Sequence, residues 1–445
     1  MSASYCGYGF FVSDSTVPST SRAFISNSCH WDLSISSFSH PHRLQLPPFR
    51  PPNIKKPHSN ANRKSTSFSA LPFDLSPPPI DEDLLEAAAV EGARISDDGI
   101  IETFHNDEQA LDAANNGVAV VDLSHFGRLR VSGDDRCQFL HNQSTANFES
   151  LRQGQGCSTV FVTPTARTID IAQAWIMKNA ITLIVSPVTR ESIIRMLNKY
   201  IFLADKVEIQ DITNQTSLLV LVGPKSNQTM EDLNLGSIAG EPYGTHQHFS
   251  VNGMPITVGV GNVISEEGFS LLISPAVAGP VWKALVSLGA VPMGSRAWEK
   301  LRIFQGMPSP QKELTDEFNV LEAGLWNSIS LNKGCYKGQE TISRLITYDG
   351  VKQRLWGLQL SDSVEPGSPI TIDGKRVGKL TSYAPGRKES EHFGLGYIKK
   401  KAASIGDTVI VGEDTTGTVV EVPFLARQQP LSNSSPSSTP ESSVQ

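Results

Sequence analysis

The chain has 445 residues, 39% of them hydrophobic and 19% charged, which is enough for two or three domains with cores of their own. Its formal net charge of −7 argues against broad nucleic-acid binding, because that binding depends on basic residues that displace counterions from phosphates. No uninterrupted apolar run approaches the ~18 residues that cross a bilayer, so the sequence predicts a soluble protein without a membrane partner.

Residues 1–70 form a segment of distinct composition, rich in serine and proline, with seven Lys or Arg and only two acidic residues. Such a segment cannot bury a core and is typical of an organellar transit peptide. Its serine and proline content favours the chloroplast stroma, with the mitochondrion as the alternative. The competing interpretation is a disordered tail that is not a targeting signal. Residues 426–445, also rich in serine and proline, are predicted to be a disordered tail.

The five cysteines are odd in number and show no Cys-x-x-Cys spacing. This pattern argues against a disulfide framework and against a zinc site, so no permanently bound metal is predicted. Cys137 lies within an apolar pattern and is predicted to be a core thiol, whereas the residues around Cys157 favour no particular role.

Regular secondary structure is predicted from about residue 80, where an acidic stretch that opens at Asp81 leads into strong helix formers. Asp134 is predicted to cap a helix that carries Phe139 and Leu140. The predicted strands lie at 119–123 (buried), 127–131 (half-exposed), 181–185, 207–212, 217–222, 256–260 and 269–273, and the predicted helices lie at 189–203 (amphipathic, with Ile193, Ile194, Leu197 and Ile201 on one face), 277–288 and 295–304.

Strands that arrive in pairs between single helices predict an α+β fold rather than a doubly wound one. After Gly350 the pattern changes to short strands separated by glycines, which predicts a small β-barrel domain over residues 351–425. The predicted barrel strands lie at 355–360, 369–372, 377–382, 394–398, 408–411 and 418–422.

The densest group of reactive side chains is Lys333-Gly334-Cys335-Tyr336-Lys337-Gly338-Gln339-Glu340. Glycine permits positive φ and close backbone approach, so this segment is predicted to be a tight functional loop. Lys333 and Lys337 flank Cys335, and their ammonium groups favour the thiolate, which is the nucleophilic and metal-binding form. A surface turn with an incidental cysteine explains the composition equally well.

The motif Lys-Gly-Cys-Tyr-x-Gly-Gln-Glu resembles the signature of the YgfZ family, folate-binding proteins related to the glycine-cleavage T-protein and linked to iron–sulfur cluster assembly or repair. Residues 124–136 and 321–326 are similar to two further T-protein segments, and the likeness spans roughly residues 85–425. It implies a plant organellar member in which residues 80–350 form an aminomethyltransferase-like folate-binding domain. Three α+β subdomains would surround a central folate site as a ring that the C-terminal barrel closes.

The resemblance also implies folate-binding residues, because the edge of a pterin ring suits a carboxylate and the glutamate tail of folate suits Arg or Lys. Glu266, in Ser-Glu-Glu-Gly-Phe, matches the T-protein acid that grips the pterin. Arg296 and Arg302 resemble two arginines of a T-protein helix. From the residues alone, each of the three is more simply a surface charge.

One T-protein feature is altered here, the run Gly-Gly-Ile-Ile-Asp-Asp that supplies the acid orienting the folate amine. In residues 166–171 both glycines are absent, one acid remains as Asp170, and the second position is Ile171. Aminomethyl transfer needs a carboxylate within hydrogen-bond distance of the reacting nitrogen. The change argues against the glycine-cleavage reaction and leaves Asp170 as the predicted cofactor-binding acid.

The resemblance therefore implies a tetrahydrofolate-dependent accessory protein for iron–sulfur cluster assembly or repair in the chloroplast. Cys335 would lie beside the folate as a nucleophile or transient sulfur or metal partner, with Lys333 tuning its ionisation. Tyr336 would pack on the pterin or bond within the loop, while Gln339 and Glu340 fix the shape of the loop. Because a lone cysteine cannot hold a cluster, iron–sulfur client or assembly proteins are expected to supply further thiolates.

Three alternatives remain open at the level of sequence. Glu340 lies four residues before Arg344, and a local ion pair explains both residues equally well. The main functional alternative is a folate-dependent one-carbon transferase of the aminomethyl type, which relies on Asp170 and not on Cys335. A folate-dependent partner in RNA modification is the third, and the acidic body makes it the weakest.

Overall fold

A computed structural model of the protein describes residues 84–428 apart from 252 and 387–389. The predictions for the transit segment, for the helix start at Asp81 and for most of the C-terminal tail lie outside the described residues. The first three residues of that predicted tail are described: Ala426 and Arg427 end a helix, and Gln428 is buried. None of the helices that the described residues form is long and apolar enough to cross a membrane.

The described residues alternate between helices and strands until Thr347 and then consist almost wholly of strands. The helices are α1 (Leu84–Val90), α2 (Asp107–Asn116), α3 (Arg136–Gln143), α4 (Arg190–Lys199), α5 (Ser226–Asp232), α6 (Ala278–Ser287), α7 (Ser295–Gln305), α8 (Gln339–Thr347) and α9 (Pro423–Arg427). The strands are β1 (Arg94–Ile95), β2 (Ile101–Thr103), β3 (Ala119–Asp122), β4 (Gly127–Ser132), β5 (Gly156–Val162), β6 (Thr168–Ile176), β7 (Ala180–Val185), β8 (Glu208–Asp211), β9 (Ser217–Val222), β10 (His246–Val251), β11 (Met254–Val260), β12 (Phe269–Ile273), β13 (Val291–Met293), β14 (Gln353–Leu360), β15 (Pro369–Ile372), β16 (Lys375–Pro385), β17 (His392–Lys399), β18 (Thr408–Val411) and β19 (Thr415–Val420).

Two sheets form the body of the molecule, and the predicted α+β fold is confirmed. The six-stranded sheet has the order β10-β11-β12-β9-β3-β13, and the five-stranded sheet has the order β5-β6-β7-β4-β8. Strand β9 is buried along its whole length because its residues alternate between two cores, with Leu219 and Leu221 in one and Leu218 and Val220 in the other. A strand covered on both faces has a continuous apolar sequence, as β9 does.

The C-terminal strands close into a barrel of order β14-β17-β16-β15-β18-β19, as predicted from their spacing. Closure comes from pairing of the first strand with the last, from Gly357 opposite Val420 to Leu360 opposite Gly417. The interior is filled by aliphatic side chains, and closure leaves no free edge in the barrel.

Strand β4 was predicted to be half-exposed, and that prediction was wrong. Arg128 on this strand is fully buried. Its guanidinium donates to the carbonyl oxygens of Ser124 (2.6 Å), Phe126 (2.5 Å) and Thr216 (2.6 Å). An arginine can be buried when backbone acceptors replace water, and no local pattern reveals those acceptors.

Two predicted helix boundaries also differ from the structure. Asp135, not Asp134, immediately precedes α3, and Asp134 instead pairs with Lys206 at 3.2 Å. Helix α4 ends at Lys199, four residues before the predicted end. The Asp205 carboxylate accepts the Phe202 backbone N–H at 2.8 Å and closes a turn there, which outweighs the apolar period that continues to residue 203.

Candidate functional site

A cavity of about 310 Å³ lies against the five-stranded sheet. The rest of its wall comes from loops of the six-stranded sheet, from α7 and the segments 307–310 and 327–328, and from Phe424, Arg427 and Gln428. Ser158, Gln173 and Ile184 lie side by side on the neighbouring strands β5, β6 and β7, and all three line the cavity. The volume is at the lower end of the range for small-molecule sites. This size and a lining that combines polar and apolar side chains make the cavity a candidate ligand site.

Asp170 lies in the cavity wall and is almost completely buried. Its carboxylate accepts the backbone N–H of Ile171 at 2.8 Å, the backbone N–H of Ser186 at 2.8 Å and the Thr189 hydroxyl. Burial raises the pKa of Asp170 to about 6, although these three hydrogen bonds act in the opposite direction. Asp170 is thus a carboxyl group that can hold or release a proton near neutral pH.

The pKa of Asp170 leads to a testable dependence of stability on pH. Between pH ~4 and ~6 the folded protein holds the Asp170 proton and the unfolded chain has released it, so the free energy of unfolding should fall as the pH rises through this window. The fall should reach roughly 3 kcal/mol. Urea unfolding should give a higher free energy of unfolding at pH 4 than at pH 6.5 in the wild type, and this difference should be lost in Asp170→Asn. An equal difference in the two proteins would contradict the raised pKa of Asp170.

Glu266 lies at the rim of the same cavity, on a loop held by one buried side chain. The Asn262 side chain accepts the backbone N–H groups of Ile264 (2.9 Å) and Ser265 (3.0 Å) and donates to the Glu267 carbonyl oxygen (2.9 Å). These bonds fix the loop, so the exposed Glu266 carboxylate is presented from a rigid support. It can bind a donor edge of a ligand without first being ordered.

Arg302 also lines the cavity, but its guanidinium is hydrogen-bonded to other groups of the protein. Its N–H groups donate to both carboxylate oxygens of Glu299 (2.7 and 2.9 Å), to Glu313 (3.0 Å), to the Met307 carbonyl oxygen (2.5 Å) and to the Ser382 hydroxyl (3.0 Å). A guanidinium has five N–H donors, so every one has a partner. Binding of folate by Arg302 stays a prediction, and it would require exchange of one of these partners.

Arg296 is not among the described residues that line the cavity. Its half-exposed guanidinium pairs with Glu102 at 2.9 Å, and Glu102 also contacts Arg94 at 3.1 Å. The role predicted for Arg296 in folate binding stays a prediction that this geometry does not favour.

Two further residues of the cavity wall were not identified as ligand-binding residues from the sequence. Cys157 lines the cavity, and burial raises the pKa of its thiol to about 12, which makes it a neutral wall residue. Gln173 is 3% exposed, and neither atom of its amide has a hydrogen-bond partner in the structure. Nothing in the local sequence distinguishes Gln173 from an ordinary strand residue.

The segment 333–340 was predicted to be a loop throughout, but the loop ends at Gly338 because α8 begins at Gln339. The loop is held by Lys333, whose side chain turns inward and is buried. The ammonium donates to the carbonyl oxygens of His141, Ser144 (2.8 Å) and Ala146 (2.7 Å), at and just beyond the C-terminal end of α3. Burial lowers the pKa of Lys333 to about 8. A cation at the end of a helix binds carbonyls that have no partner within the helix, so Lys333 fastens the loop to α3.

The remaining residues of the loop divide between packing and exposure. Tyr336 is half-buried, with the Lys333 ammonium 4.8 Å from its ring centre, and its backbone N–H contacts the Gln339 side-chain oxygen at 3.3 Å. The Lys337 ammonium lies 4.7 Å from the ring centre of Tyr200. Glu340 is exposed and pairs with Arg344 at 3.8 Å, as the local alternative predicted.

Apart from Arg296, the predicted site residues therefore separate into two groups. Asp170, Glu266 and Arg302 meet in the cavity wall, whereas no described residue of 333–340 lines the cavity. Cys335 is exposed. The placement of Cys335 beside the folate is not supported by this geometry, because the Lys333 contacts hold the loop against the end of α3.

The two parts of the chain match two known domain families. Residues 100–333 match the GCVT N-terminal domain, and residues 353–425 match the glycine cleavage T-protein C-terminal barrel domain. A protein of Arabidopsis thaliana named "putative transferase, chloroplastic" is 70% identical over 373 residues, which cover 84% of this chain and 86% of the relative. The predicted chloroplast destination is confirmed by this relative.

More distant relatives bear the name aminomethyltransferase. Those of Rubrobacter xylanophilus and Geobacillus kaustophilus are each 26% identical, over 321 and 336 residues, covering 72% and 73% of this chain and 86% and 92% of the relatives. The crystal structure of glycine cleavage system aminomethyltransferase T from Bartonella henselae superposes with a TM-score of 0.67 at 18% identity, covering 76% of this chain and 96% of that one. The superposition confirms the predicted fold.

Proposed function

The chain belongs to the GCVT family of glycine cleavage T-proteins, and from this premise we propose that it binds a tetrahydrofolate in the cavity and supports iron–sulfur cluster assembly or repair in the chloroplast through Cys335. The observation that carries the folate part is the Glu266 carboxylate at the rim of the buried cavity. A carboxylate accepts two parallel hydrogen bonds from the amino group and ring N–H of a pterin.

The cavity wall fits such a ligand in two further respects. The unpaired amide of Gln173 is a donor and an acceptor in the cavity wall, and aliphatic and aromatic side chains such as Ile184, Phe126 and Trp298 supply apolar surface for a ring. Tetrahydrofolate, when bound, carries one-carbon units on its nitrogens. The protein's own contribution is to bind and orient it and to exclude water.

The cluster-related part of the proposal concerns Cys335. Its thiol is exposed on a loop that Lys333 anchors, so a partner protein can reach it without a change in the body. Sequence 333–340 resembles the YgfZ signature, and an accessible thiolate can act as a transient ligand of a cluster whose other ligands belong to a client or assembly protein. In this proposal the cluster is cargo and not a resident group.

Binding of tetrahydrofolate tests the first part. Quenching of tryptophan fluorescence should report saturable binding, because Trp298 lines the cavity. We expect Glu266→Ala to weaken the affinity about tenfold or more, since it removes a charged pair of hydrogen bonds. Glu267→Ala is the matched control, because Glu267 is the next exposed acid and does not line the cavity. Equal affinities in the two variants would refute the role of Glu266, and no binding by the wild type would refute the folate site.

A folate-dependent one-carbon transferase is the second candidate, favoured by one observation. The buried Asp170 carboxyl, with its pKa raised to about 6, is suited to moving a proton on a folate nitrogen. The two proposals separate in paired variants. The transferase loses turnover of methylene-tetrahydrofolate in Asp170→Asn and keeps it in Cys335→Ser. The accessory protein shows no turnover and loses its support of a cluster enzyme in Cys335→Ser, but not in the control Cys137→Ser.

A further inference from the structure

The side-chain amide of Gln173, in the cavity wall, is buried and has no hydrogen-bond partner. The side chain is 3% exposed, and both the amide nitrogen and the amide oxygen lack a hydrogen bond within the protein. Buried polar side-chain atoms in native proteins are nearly always hydrogen-bonded, and an unpaired pair of them destabilises the fold. A buried and unpaired amide of this kind is accounted for when a ligand completes its hydrogen bonds.

The position of Gln173 directs it towards the same ligand as Glu266. Gln173 lies in register with Ser158 on one side and Ile184 on the other, and all three line the cavity. Ile171 lies two residues earlier and therefore on the same face of the strand. Ile171 also lines the cavity. Gln173 thus lies in the cavity wall beside the aliphatic side chains of Ile171 and Ile184.

We infer that Gln173 selects reduced folates by binding a pterin edge that carries one donor beside one acceptor; the inference rests on the proposed folate site. An amide offers one donor group and one acceptor, whereas the Glu266 carboxylate offers acceptors alone. A tetrahydropterin has two complementary edges, N8–H beside N1 and N5–H beside the C4 oxygen. In oxidised folic acid N5 and N8 carry no hydrogen, so both edges consist of acceptors.

Glu266 and Gln173 therefore have separate tasks. The donor edge formed by N3–H and the 2-amino group is the same in oxidised and reduced pterins, so Glu266 binds both forms. The two edges that gain a donor on reduction, at N5 and N8, pair with the amide of Gln173, which has a donor and an acceptor, and not with a carboxylate. A neutral amide does not exchange a proton at neutral pH, so Gln173 acts in recognition and in no proton transfer.

The test compares two ligands on two variants of the full chain. Dissociation constants for tetrahydrofolate and for folic acid are measured anaerobically on the wild type and on Gln173→Leu. We expect the wild type to favour tetrahydrofolate by about tenfold or more, because a site built to pair with an N–H rejects the analogue that lacks it. In Gln173→Leu the preference should fall to within about threefold.

Stability without ligand provides a second readout. Gln173→Leu should leave the melting temperature of the ligand-free protein unchanged or raised, because it removes unpaired polar atoms. Asn319→Leu is the control, because Asn319 is a buried amide that does not line the cavity. The Asn319 side-chain oxygen already accepts the backbone N–H groups of Leu321 and Glu322 at 3.0 Å, so this variant should lose stability and keep the preference for tetrahydrofolate.

The possible outcomes separate the two proposals. If the wild type favours tetrahydrofolate and Gln173→Leu abolishes the preference, the assignment is supported. If Gln173→Leu binds with an unchanged ratio, or if its ligand-free form melts clearly lower, the assignment is overturned while the folate site stands. If the wild type binds neither compound, both proposals fail.

Discussion

Glu313→Gln should lower the free energy of unfolding by about 3–5 kcal/mol, the largest effect we expect from a single substitution in this protein. Glu313 is fully buried, and its carboxylate accepts hydrogen bonds from the Arg302 guanidinium (3.0 Å), the Ser309 backbone N–H (3.0 Å) and the hydroxyls of Thr381 (2.8 Å) and Ser382 (2.5 Å). Removal of the negative charge leaves the buried guanidinium with the half-exposed Glu299 as its remaining carboxylate partner.

The Glu313 network also joins the two parts of the fold. Arg302 belongs to α7, and Thr381 and Ser382 belong to the barrel strand β16, so the carboxylate connects the body to the barrel. Arg302 lines the cavity as well. We therefore expect Glu313→Gln to weaken ligand binding together with stability.

Equilibrium unfolding in urea at neutral pH measures the effect. Glu340→Gln is the matched control, because Glu340 also pairs with an arginine, but both partners are exposed and 3.8 Å apart. It should leave the midpoint unchanged, since exposed pairs of this kind contribute little. A loss below about 1 kcal/mol in Glu313→Gln would show that the buried network is dispensable.

Lys333→Met should cost about 2–4 kcal/mol and release the Cys335 loop. The ammonium donates to three carbonyl oxygens, those of His141, Ser144 and Ala146. Methionine has a similar length and fills much of the same volume, but it cannot donate. The three acceptors would then lose a charged donor inside the protein, and the loop would lose its attachment to α3.

Two measurements separate stability from local order in this variant. Urea unfolding reports the free energy, and hydrogen exchange of the backbone amides in 331–338 reports the loop, where protection should fall. Lys337→Met is the control, since the Lys337 ammonium contacts only the ring of Tyr200 among the contacts resolved for its side chain. That contact should contribute about 0.5–1 kcal/mol. Unchanged exchange in Lys333→Met would contradict the anchoring role.

The cavity and the Cys335 loop are separate candidate sites in the structure. Ligand binding is expected to depend on Glu266 and Gln173, and partner binding on Cys335 and Lys333. Because the two sets of residues do not share a wall in the described structure, variants of one set should leave the function of the other largely intact.

Features of the fold that depend on local periodicity could be predicted from the amino-acid sequence. The apolar period of 3.6 residues predicted α6 and α7 within a residue or two at each end, and the glycine-punctuated alternation predicted the six strands of the barrel. The residues of 333–340 marked a loop, which is confirmed as far as Gly338, whereas Gln339 and Glu340 begin α8. The composition of residues 1–70 favoured the chloroplast. Each of these predictions rests on residues that are close to one another along the chain.

Which polar side chains are available to a ligand could not be predicted in this way, because it depends on how the elements pack. Arg302 and Lys333 both resemble free cations in the sequence, yet their donors are used by partners as far away as Ser382 and His141, 80 and 192 residues along the chain. Gln173 resembles an ordinary strand residue, yet both polar atoms of its buried amide lack a hydrogen-bond partner. The partner of a buried hydrogen-bonding group depends on which distant elements pack together. A local sequence pattern cannot predict that packing, so it cannot predict the partner.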